Sequence, residues 1–540
     1  MVHYFYRFLA IALGVVIIAF LINDGLILAF LRFRAHQVSE FGFYLFMPLF
    51  WVFLLLHIIY FIIFMKLHRW ENEYKVLFVI FVLAAIPRLF LIFLNFEFYQ
   101  PTSDFLNYFR LGQGMFQGDY EGVARIVASY RVPTMGGLAV YNGLIMRLFS
   151  PTIIGFQISN VITTSLICVF IYLIGKAINR KIALTAAMFF SLYLSNIVST
   201  SIMLNIHPML LYILISMYFM QKVIVTDKKC LIVVYVIFST MFAGIALVLH
   251  ISAITFVIAY TVFIIILLFS NANKKTILSF FSFEASTKCQ AKASMCKKML
   301  MVMCIFLIGC FMIPQAGVQL MYRRGVINSF ESYTVLRNFA VGLDVSSGGS
   351  FVNNENLARL NSYPVDERQA VAIQIIAEQL KKPMETIRLI VGKTGRNWFG
   401  RDTSFWWYVD YQVNHVPREK MSHEQLESLS RIVRLSGGAE RLDQLVVHFL
   451  FLLAALGLLL KPYKKPDDIY YLQMIVLIGM FAVIGLGEAQ PRYRYIAMPS
   501  LMILSSAGLF EIIRIGEVIK ARVKPSKGTE ENKSTSTSTF

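Results

Sequence analysis

The chain has 540 residues, of which 57% are hydrophobic and only 15% are charged, and its formal net charge is +19. Soluble globular domains are about one quarter charged, so this composition excludes an ordinary soluble protein. Apolar runs of about 20 residues recur from end to end, which predicts an all-α polytopic membrane protein. A membrane β-barrel would instead have short alternating segments.

The apolar runs predict about 12 transmembrane helices. The first run is too long for a signal-peptide core and has no small-residue cleavage site after it, so we interpret it as a retained membrane helix. The predicted spans are 8–31, 42–65, 76–95, 152–175, 182–200, 203–223, 231–249, 251–269, 298–315, 444–460, 469–487 and 495–516.

Charge sets the predicted orientation, because short cytoplasmic loops of membrane proteins are rich in Lys and Arg. The basic clusters fall between the apolar runs, at 66–69, 176–181, 226–229 and 461–465, and the largest surplus lies in 271–298. If these clusters are cytoplasmic, every span alternates correctly and both termini lie inside. Arg32 and Arg34 then lie outside, against the rule, but the later loops outweigh them.

This topology divides the chain into five predicted parts. Two extra N-terminal helices precede a transmembrane core that contains an outward loop, and a larger, soluble outward segment separates this core from the C-terminal helices. A low-complexity tail is expected to be disordered and cytoplasmic. The parts are 1–75, 76–314 with the outward loop 96–151, 315–443, 444–518 and 519–540.

Each outward segment contains predicted helices. In the first, Met135–Phe149 is apolar with helical spacing but too short to span, which indicates a re-entrant or interfacial helix. In the second, Asp366–Leu380 reads as an amphipathic helix, and Ser422 begins another with a capping box. The sequence places 392–410 between these two helices, and its three tryptophans fit either an interfacial aromatic belt or a sugar-stacking surface.

Ionisable groups at membrane depth or at its rim are candidates for function, since each is costly there if unpaired. Asp104 follows the third span directly and is our candidate for a catalytic base, although it could equally cap the helix that begins there. Tyr108 lies four residues further on and would share a helix face with Asp104.

Arg131 and Tyr141 flank the predicted re-entrant helix. Arg131 could bind substrate or extend its side chain to lipid head groups. His207 lies at the start of an outward-facing helix end, where a single histidine is more often a hydrogen-bonded structural residue than a catalyst.

A second informative stretch follows the eleventh span. Glu488 and Arg492 are four residues apart and are predicted to pair, and Tyr493 follows. Arg492 and Arg494 put positive charge outside, where an arginine fork would fit a lipid phosphate or simply anchor to head groups. Lys393, in the second outward segment, is a further candidate for that phosphate.

Several motifs together resemble the bacterial GT-C glycosyltransferases related to the protein O-mannosyltransferase and aminoarabinose transferase group. The resemblance covers about residues 76–510 and departs from the family at Phe105, which replaces a frequent acidic residue, and at Thr134, which replaces a proline or histidine. The motifs are SDFLNY (103–108), GDY (118–120), RVPTMGGLAVYNGLIMRLF (131–149), QISNVITTSL (157–166), NIHP (205–208) and EAQPRYRYIAMP (488–499).

The resemblance implies a GT-C-like fold, a polyprenyl-phosphate sugar as donor and an active site that faces out of the cell. The acceptor would be a hydroxyl of a cell-envelope glycan, wall polymer, lipid or protein. By position, Asp104 matches the family's catalytic aspartate, and Arg492 with Lys393 or Arg131 would stabilise the departing phosphate.

The sequence predicts membrane lipid as a partner and gives no sign of nucleic-acid binding, because its basic clusters follow the membrane topology. No cofactor is expected. A divalent metal stays open but lacks support, since the outward loops contain no tight carboxylate cluster such as D-x-D. Cysteines are absent from the outward segments, which fits a bacterial plasma membrane.

Two other functions stay open at this point. A lipid-linked oligosaccharide flippase or transporter would use the same rim arginines but would need charged residues deep within several spans, and most spans have none. A polysaccharide polymerase or ligase would also have many spans and a large outward segment, but it would not need an aspartate in the first outward loop.

Overall fold

The computed structural model is all-α in every part that it describes, as the sequence predicts, and no strand occurs among these residues. The described residues are 2–24, 40–94, 103–130, 134–226, 228–271, 287–327, 334–350, 353–364, 366–399, 422–460, 468–488 and 491–523.

The helices are numbered here in chain order, and two short 3-10 helices, Ile251–Ala253 and Pro491–Ala497, connect them near the middle and the end of the chain. The α-helices are α1 (Val2–Asp24), α2 (Glu40–Leu67), α3 (Glu73–Leu94), α4 (Ser103–Gln117), α5 (Tyr120–Tyr130), α6 (Thr134–Leu148), α7 (Ile153–Gly175), α8 (Arg180–Ser191), α9 (Leu194–Ser199), α10 (Ile206–Val225), α11 (Lys229–Leu249), α12 (Ile254–Asn271), α13 (Thr287–Arg323), α14 (Thr334–Gly342), α15 (Glu355–Asn361), α16 (Arg368–Leu380), α17 (Pro383–Phe399), α18 (His423–Leu460), α19 (Asp468–Leu486) and α20 (Met498–Val523).

Nine segments of the described chain are long and apolar enough to cross a membrane. They correspond to nine of the predicted spans, and α19 matches a tenth as a shorter apolar helix, Tyr470–Leu486. Another shorter apolar stretch, Arg7–Ala19, lies in α1. The nine are Leu49–Leu67, Glu73–Phe93, Ile153–Gly175, Ile206–Val225, Lys229–Leu249, Ile251–Leu268, Lys297–Arg323, Gly438–Leu460 and Tyr493–Lys520.

The predicted span 182–200 is wrong as a single helix, because the chain breaks between α8 and α9. The buried guanidinium of Arg88 donates to the last carbonyls of α8, those of Phe190 (3.2 Å) and Ser191 (3.0 Å), and to the Asn196 side chain of α9. The Phe190 carbonyl also accepts from the Tyr193 amide at 3.4 Å, whereas Ser191 is the last residue of the helix, where carbonyls lack helical partners. The buried donor therefore stabilises the break at membrane depth.

The irregular chain after α9 is fixed in the same way by side-chain donors. Gln157 donates to the carbonyl of Ser201 at 3.2 Å, and Asn160 donates to those of Thr200 at 3.1 Å and Ile202 at 2.9 Å. Both amides are buried on α7. Since the backbone polar groups are satisfied by the neighbouring helix, residues 192–205 form a rigid segment rather than a loose loop.

The bundle core takes buried residues from helices along the whole described chain, from Ala10 of α1 to Ala507 of α20. Gly457 of α18 and Gly508 of α20 let these two backbones cross in direct contact, because a Cβ atom on either would collide with the other helix. Ser505 supports the crossing by donating to the carbonyl of Leu450 at 2.7 Å. Small residues at such crossings are typical of helices packed within membranes.

In the loop 96–151, which is predicted to face outward, the described residues form the helices α4, α5 and α6. The predicted short helix at Met135–Phe149 is confirmed as α6, Thr134–Leu148. It packs closely against α4 and α11, because Gly143 lies against Met115 and Gly137 lies against Val248.

The second outward segment departs from the prediction at both ends. Helix α13 runs on to Arg323, beyond the predicted boundary at 315, and the helix that was predicted to begin at Ser422 continues without a break through 443 into the predicted span 444–460, as α18. At the C-terminus, α20 continues to Val523, inside the tail that was expected to be disordered from 519 onward. The extensions contain no proline near these boundaries that would stop a helix, apart from Pro314 inside α13.

Within the second segment, the predicted helix at Asp366–Leu380 is confirmed as α16, and α18 begins directly after Ser422 as predicted. Residues 392–410 were predicted only to lie between these two helices along the chain, and residues 392–399 of that stretch form the second half of α17. Trp398 explains why this half folds: it is fully buried and stacks on Phe481 of α19 with ring centroids 4.4 Å apart.

For Trp398, the aromatic-belt and sugar-stacking interpretations are therefore both wrong, since its side chain lies in the protein core. Trp406 and Trp407 lie outside the described residues.

Candidate active site

Asp104 lies in the first turn of α4 and is partly exposed. Its Oδ1 accepts a hydrogen bond of 2.8 Å from the hydroxyl of Tyr130, which in turn accepts one of 2.9 Å from the side-chain amide of Asn107. A carboxylate near a helix N-terminus is also stabilised by the helix dipole. We refer to Asp104, Asn107 and Tyr130 as the first-loop cluster.

Tyr130 is the residue of this cluster that sequence reasoning missed. Burial, together with Asp104, raises the pKa of Tyr130 to about 12, so its hydroxyl keeps its proton at neutral pH and can donate to the carboxylate. The only signal in the sequence was position, because Tyr130 ends α5 directly before the nominated Arg131. Arg131 itself lies outside the described residues.

Tyr108 and Tyr141 support the cluster from within. Tyr108 is buried one turn after Asp104, and its ring centroid lies 6.4 Å from that of Tyr130. The Tyr141 hydroxyl hydrogen-bonds with Ser159 and Thr163 of α7, and burial raises the pKa of Tyr141 to about 12. Both tyrosines therefore hold α4 and α6 in place beside the carboxylate.

His207 is fully buried at the start of α10. Its Nε2 lies 3.0 Å from the carbonyl oxygen of Ser199, which can only accept, so Nε2 carries the hydrogen. Its Nδ1, 3.2 Å from the hydroxyl of Tyr495, then accepts from that hydroxyl. The histidine thus connects the rigid segment after α9 to the 3-10 helix Pro491–Ala497.

Lys393 is also fully buried, on the inner face of α17. Its amine donates at 2.6 Å to each of two backbone carbonyls, that of Gly342 at the end of α14 and that of Gly487 after α19. Burial is the main cause that lowers the pKa of Lys393 to about 7; the charge of Arg396 lowers it further, while Glu488 opposes the shift.

Glu488 follows Gly487 directly and is buried. Its Oε2 accepts a hydrogen bond of 3.2 Å from the hydroxyl of Tyr493, whose ring centroid lies 6.2 Å from that of His250. The predicted partner of Glu488, Arg492, has a side chain outside the described residues. We refer to Lys393, Glu488 and Tyr493 as the rim cluster.

A buried ion pair beside the rim cluster was missed by the sequence analysis. Arg494 and Asp443 are both almost completely buried, with Nη2 of the arginine 3.1 Å from Oδ2 of the aspartate. Asp443 also accepts from the backbone and hydroxyl of Ser195, and Arg494 donates to the carbonyl of Trp398. Arg494 therefore joins α9, α17 and α18 and does not face a lipid head group.

The structure brings the nominated residues together in two places. The first-loop cluster and the rim cluster are joined by the segment 192–205, whose Val198, Ile202 and Met203 pack against Phe105 of α4. The other side of this segment contacts His207, and His207 contacts Tyr495, two residues from Tyr493. One rigid segment thus sets the position of both clusters.

Helix length and hydropathy make this protein a multi-pass helical membrane protein. A scan against protein-family models finds no matching family, and no curated protein is significantly similar to the chain. Within the described part of the chain, no three His, Cys, Asp or Glu side chains lie together as metal ligands would.

Proposed function

We propose that this protein is an integral membrane glycosyltransferase of GT-C-like architecture, which moves a sugar from a polyprenyl-phosphate carrier to an acceptor hydroxyl. The observation that carries the proposal is the Asp104 carboxylate, partly exposed and oriented by the Tyr130 hydroxyl at 2.8 Å. The motifs around Asp104 and Glu488 that resemble this class give independent support.

The proposed reaction needs a base and a stabilised leaving group. The acceptor oxygen bonds to the anomeric carbon while the bond from that carbon to the phosphate oxygen breaks, and the phosphate leaves with the electron pair. Asp104 takes the proton of the acceptor hydroxyl. Positive side chains stabilise the departing phosphate, and for this role we propose Arg492 with Arg131.

Lys393 was nominated for the same phosphate and stays a prediction in that role. Its amine already donates to two carbonyls in the described structure, so the role that its contacts support is to hold Gly487, and with it Glu488, in place. Tyr108, Tyr141 and His207 are buried or bonded to protein groups, which favours their shaping the site over direct contact with a sugar.

The proposed orientation follows the basic loops. The site would face out of a bacterial plasma membrane, with both termini in the cytoplasm, and the acceptor would come from the cell envelope. The acceptor would enter between the first outward loop and the second outward segment.

A flippase is the weaker alternative, because the buried guanidinium of Arg88 already donates hydrogen bonds to protein groups on both sides of the break between α8 and α9. A charge on a transport pathway would need to be free to meet the substrate. A polymerase or ligase differs from the proposal by not requiring Asp104, so the two are separated by experiment.

The test uses the purified full chain in lipid nanodiscs with a panel of polyprenyl-phosphate sugars and a membrane extract as the source of acceptor. Release of free polyprenyl phosphate that depends on one donor is the expected result. If no donor in the panel releases polyprenyl phosphate, the proposal is wrong and a polymerase working on diphosphate-linked substrates becomes the better account.

A further inference from the structure

Helices α16 and α17 expose a continuous row of apolar side chains. On α16, Ile373 and Leu380 are seven residues apart and therefore lie on one face, where both are more than half exposed. On α17, Met384, Ile387 and Val391 continue the row at helical spacing, and Ile387 is 53% exposed. We refer to these five residues as the apolar stripe.

The opposite faces of both helices are already occupied. Val371, Ala372 and Ile375 of α16 pack against α14 and α15. On α17, Thr386, Leu389 and the residues around Lys393 are buried. The apolar stripe is therefore not the core face of these helices, and single exposed apolar residues, which are common, do not explain a row of five.

The position of α17 indicates what covers the stripe. Gly485, near the end of the apolar helix α19, lies against Ile390 of α17, and Lys393 bonds to the carbonyl of Gly487. Helix α17 thus lies at the level where α19 ends. For a helix that crosses a membrane, that level is the region of the lipid head groups.

The charges beside the stripe fit the same surroundings. Lys381 and Lys382 are exposed at the corner between the two helices, and Arg388 is exposed next to Ile387. The acidic groups nearby are paired, Glu385 with Lys382 at 3.6 Å and Glu378 with Arg359 of α15 at 2.7 Å. Basic residues flanking an apolar face are typical of helices that lie in the surface of an anionic membrane.

We propose that the α16–α17 pair lies in the interface of the same bilayer that holds the transmembrane helices, with the apolar stripe inserted among the lipid chains. This inference concerns the part of the chain that the sequence predicts to be soluble, and it does not depend on the proposed enzymatic activity. The stripe anchors the second outward segment beside the rim cluster, because α17 carries both Ile387 and Lys393.

The test uses nitroxide spin labels on cysteines introduced into the full-length chain, in which the six native cysteines are replaced by serine or alanine. Labels are placed singly at Ile373 and Ile387, and a matched control label at Ser362, an exposed polar residue at the end of α15. The protein is reconstituted in nanodiscs containing anionic lipid, and collision rates with oxygen and with a water-soluble nickel complex are measured by EPR.

The labels at Ile373 and Ile387 are expected to collide often with oxygen and rarely with the nickel complex, which corresponds to a depth of about 5–10 Å in the interface. The label at Ser362 is expected to collide often with the nickel complex. Nickel contact at both stripe positions would show a water-exposed surface and overturn the proposal. Protection of the stripe from both reagents would show that another protein, or a second copy of the chain, covers it, which also overturns the proposal.

Discussion

Arg88 holds the last carbonyls of α8 and the Asn196 side chain together at the break between α8 and α9, so replacing it by methionine tests the account of the fold. The substitution leaves the carbonyl oxygens of Phe190 and Ser191 and the side-chain oxygen of Asn196 without their buried donor. The Phe190 carbonyl keeps a bond of 3.4 Å from the Tyr193 amide, so the Ser191 carbonyl and the Asn196 side-chain oxygen bear most of the effect. At about 1–3 kcal/mol for each of these two unsatisfied acceptors, the gross loss is about 2–6 kcal/mol.

Removing a buried charge gives back part of this loss. That relief is limited, because the guanidinium is bonded to several acceptors and lies at the C-terminal end of α8, where the helix dipole favours a positive charge. We therefore expect Arg88→Met to lower the free energy of unfolding by about 2 kcal/mol or more.

The assay is equilibrium unfolding in mixed micelles by titration with a denaturing detergent, followed by tryptophan fluorescence. Arg147→Met is the matched control, since Arg147 is exposed on α6. A double-mutant cycle with Asn196→Leu should give a coupling energy above about 1 kcal/mol. If Arg88→Met were no more destabilising than Arg147→Met, the assignment of Arg88 as the donor that holds the break would be refuted.

Two further predictions concern the candidate site. The pKa of Lys393 is about 7 in the folded protein against 10.5 for an ordinary lysine, so between these values only the unfolded chain holds the proton. The free energy of unfolding should therefore rise with pH across that window, by up to about 4–5 kcal/mol. Unfolding measured at several pH values should lose this slope in Lys393→Met and keep it in the exposed control Lys381→Met; an unchanged slope in Lys393→Met would contradict the assignment. Tyr130→Phe removes the donor that orients Asp104, so the rate of polyprenyl-phosphate release should fall about tenfold to a hundredfold, while the unfolding midpoint changes little. The control is Tyr120→Phe, because Tyr120 is an exposed tyrosine on the same helix. If initial rates showed that both variants keep full activity, the role of Tyr130 in orienting Asp104 would be contradicted.

The sequence predicted the elements whose signal is local. Eleven of the predicted spans contain apolar helices in the described chain, nine of them long enough to span and two shorter. The amphipathic helix α16 was located because its period is visible in fifteen residues, Asp366–Leu380. Asp104 was found for a similar reason, since a carboxylate directly after a span is conspicuous.

The elements that sequence reasoning misplaced or did not predict depend on distant contacts. The break in 182–200 is stabilised by Arg88, about a hundred residues earlier, and the helix through 392–399 forms because Trp398 packs on Phe481. Gly392 and Gly395 lie within this helix although glycine disfavours helices, and tertiary packing overrides that preference. Neither contact has a local signature in the sequence.

The candidate site was predicted in part. Asp104, Glu488 and Tyr493 were nominated from the motifs, but most of the residues that hold them were not found. Tyr130 comes from a separate helix, and the Arg494–Asp443 pair joins positions 51 residues apart. The one sign in the sequence was the position of Asp443 directly before the apolar run of α18, where a carboxylate is expected to be paired within the protein.

The central claim is that Asp104 is the base of a lipid-sugar transferase, and one comparison tests it most directly. Donor-dependent release of polyprenyl phosphate is measured for wild type, Asp104→Asn and Asp119→Asn in nanodiscs. Asp119 is a matched control, because it is an aspartate of the same outward loop whose carboxylate only accepts from the Gly122 backbone in the exposed turn before α5.

We expect Asp104→Asn to lose release by about a hundredfold or more, with Asp119→Asn close to wild type and both variants inserted and folded, as judged by their unfolding midpoints. Release by Asp104→Asn at the wild-type rate would contradict the claim and would move the catalytic role away from the first-loop cluster.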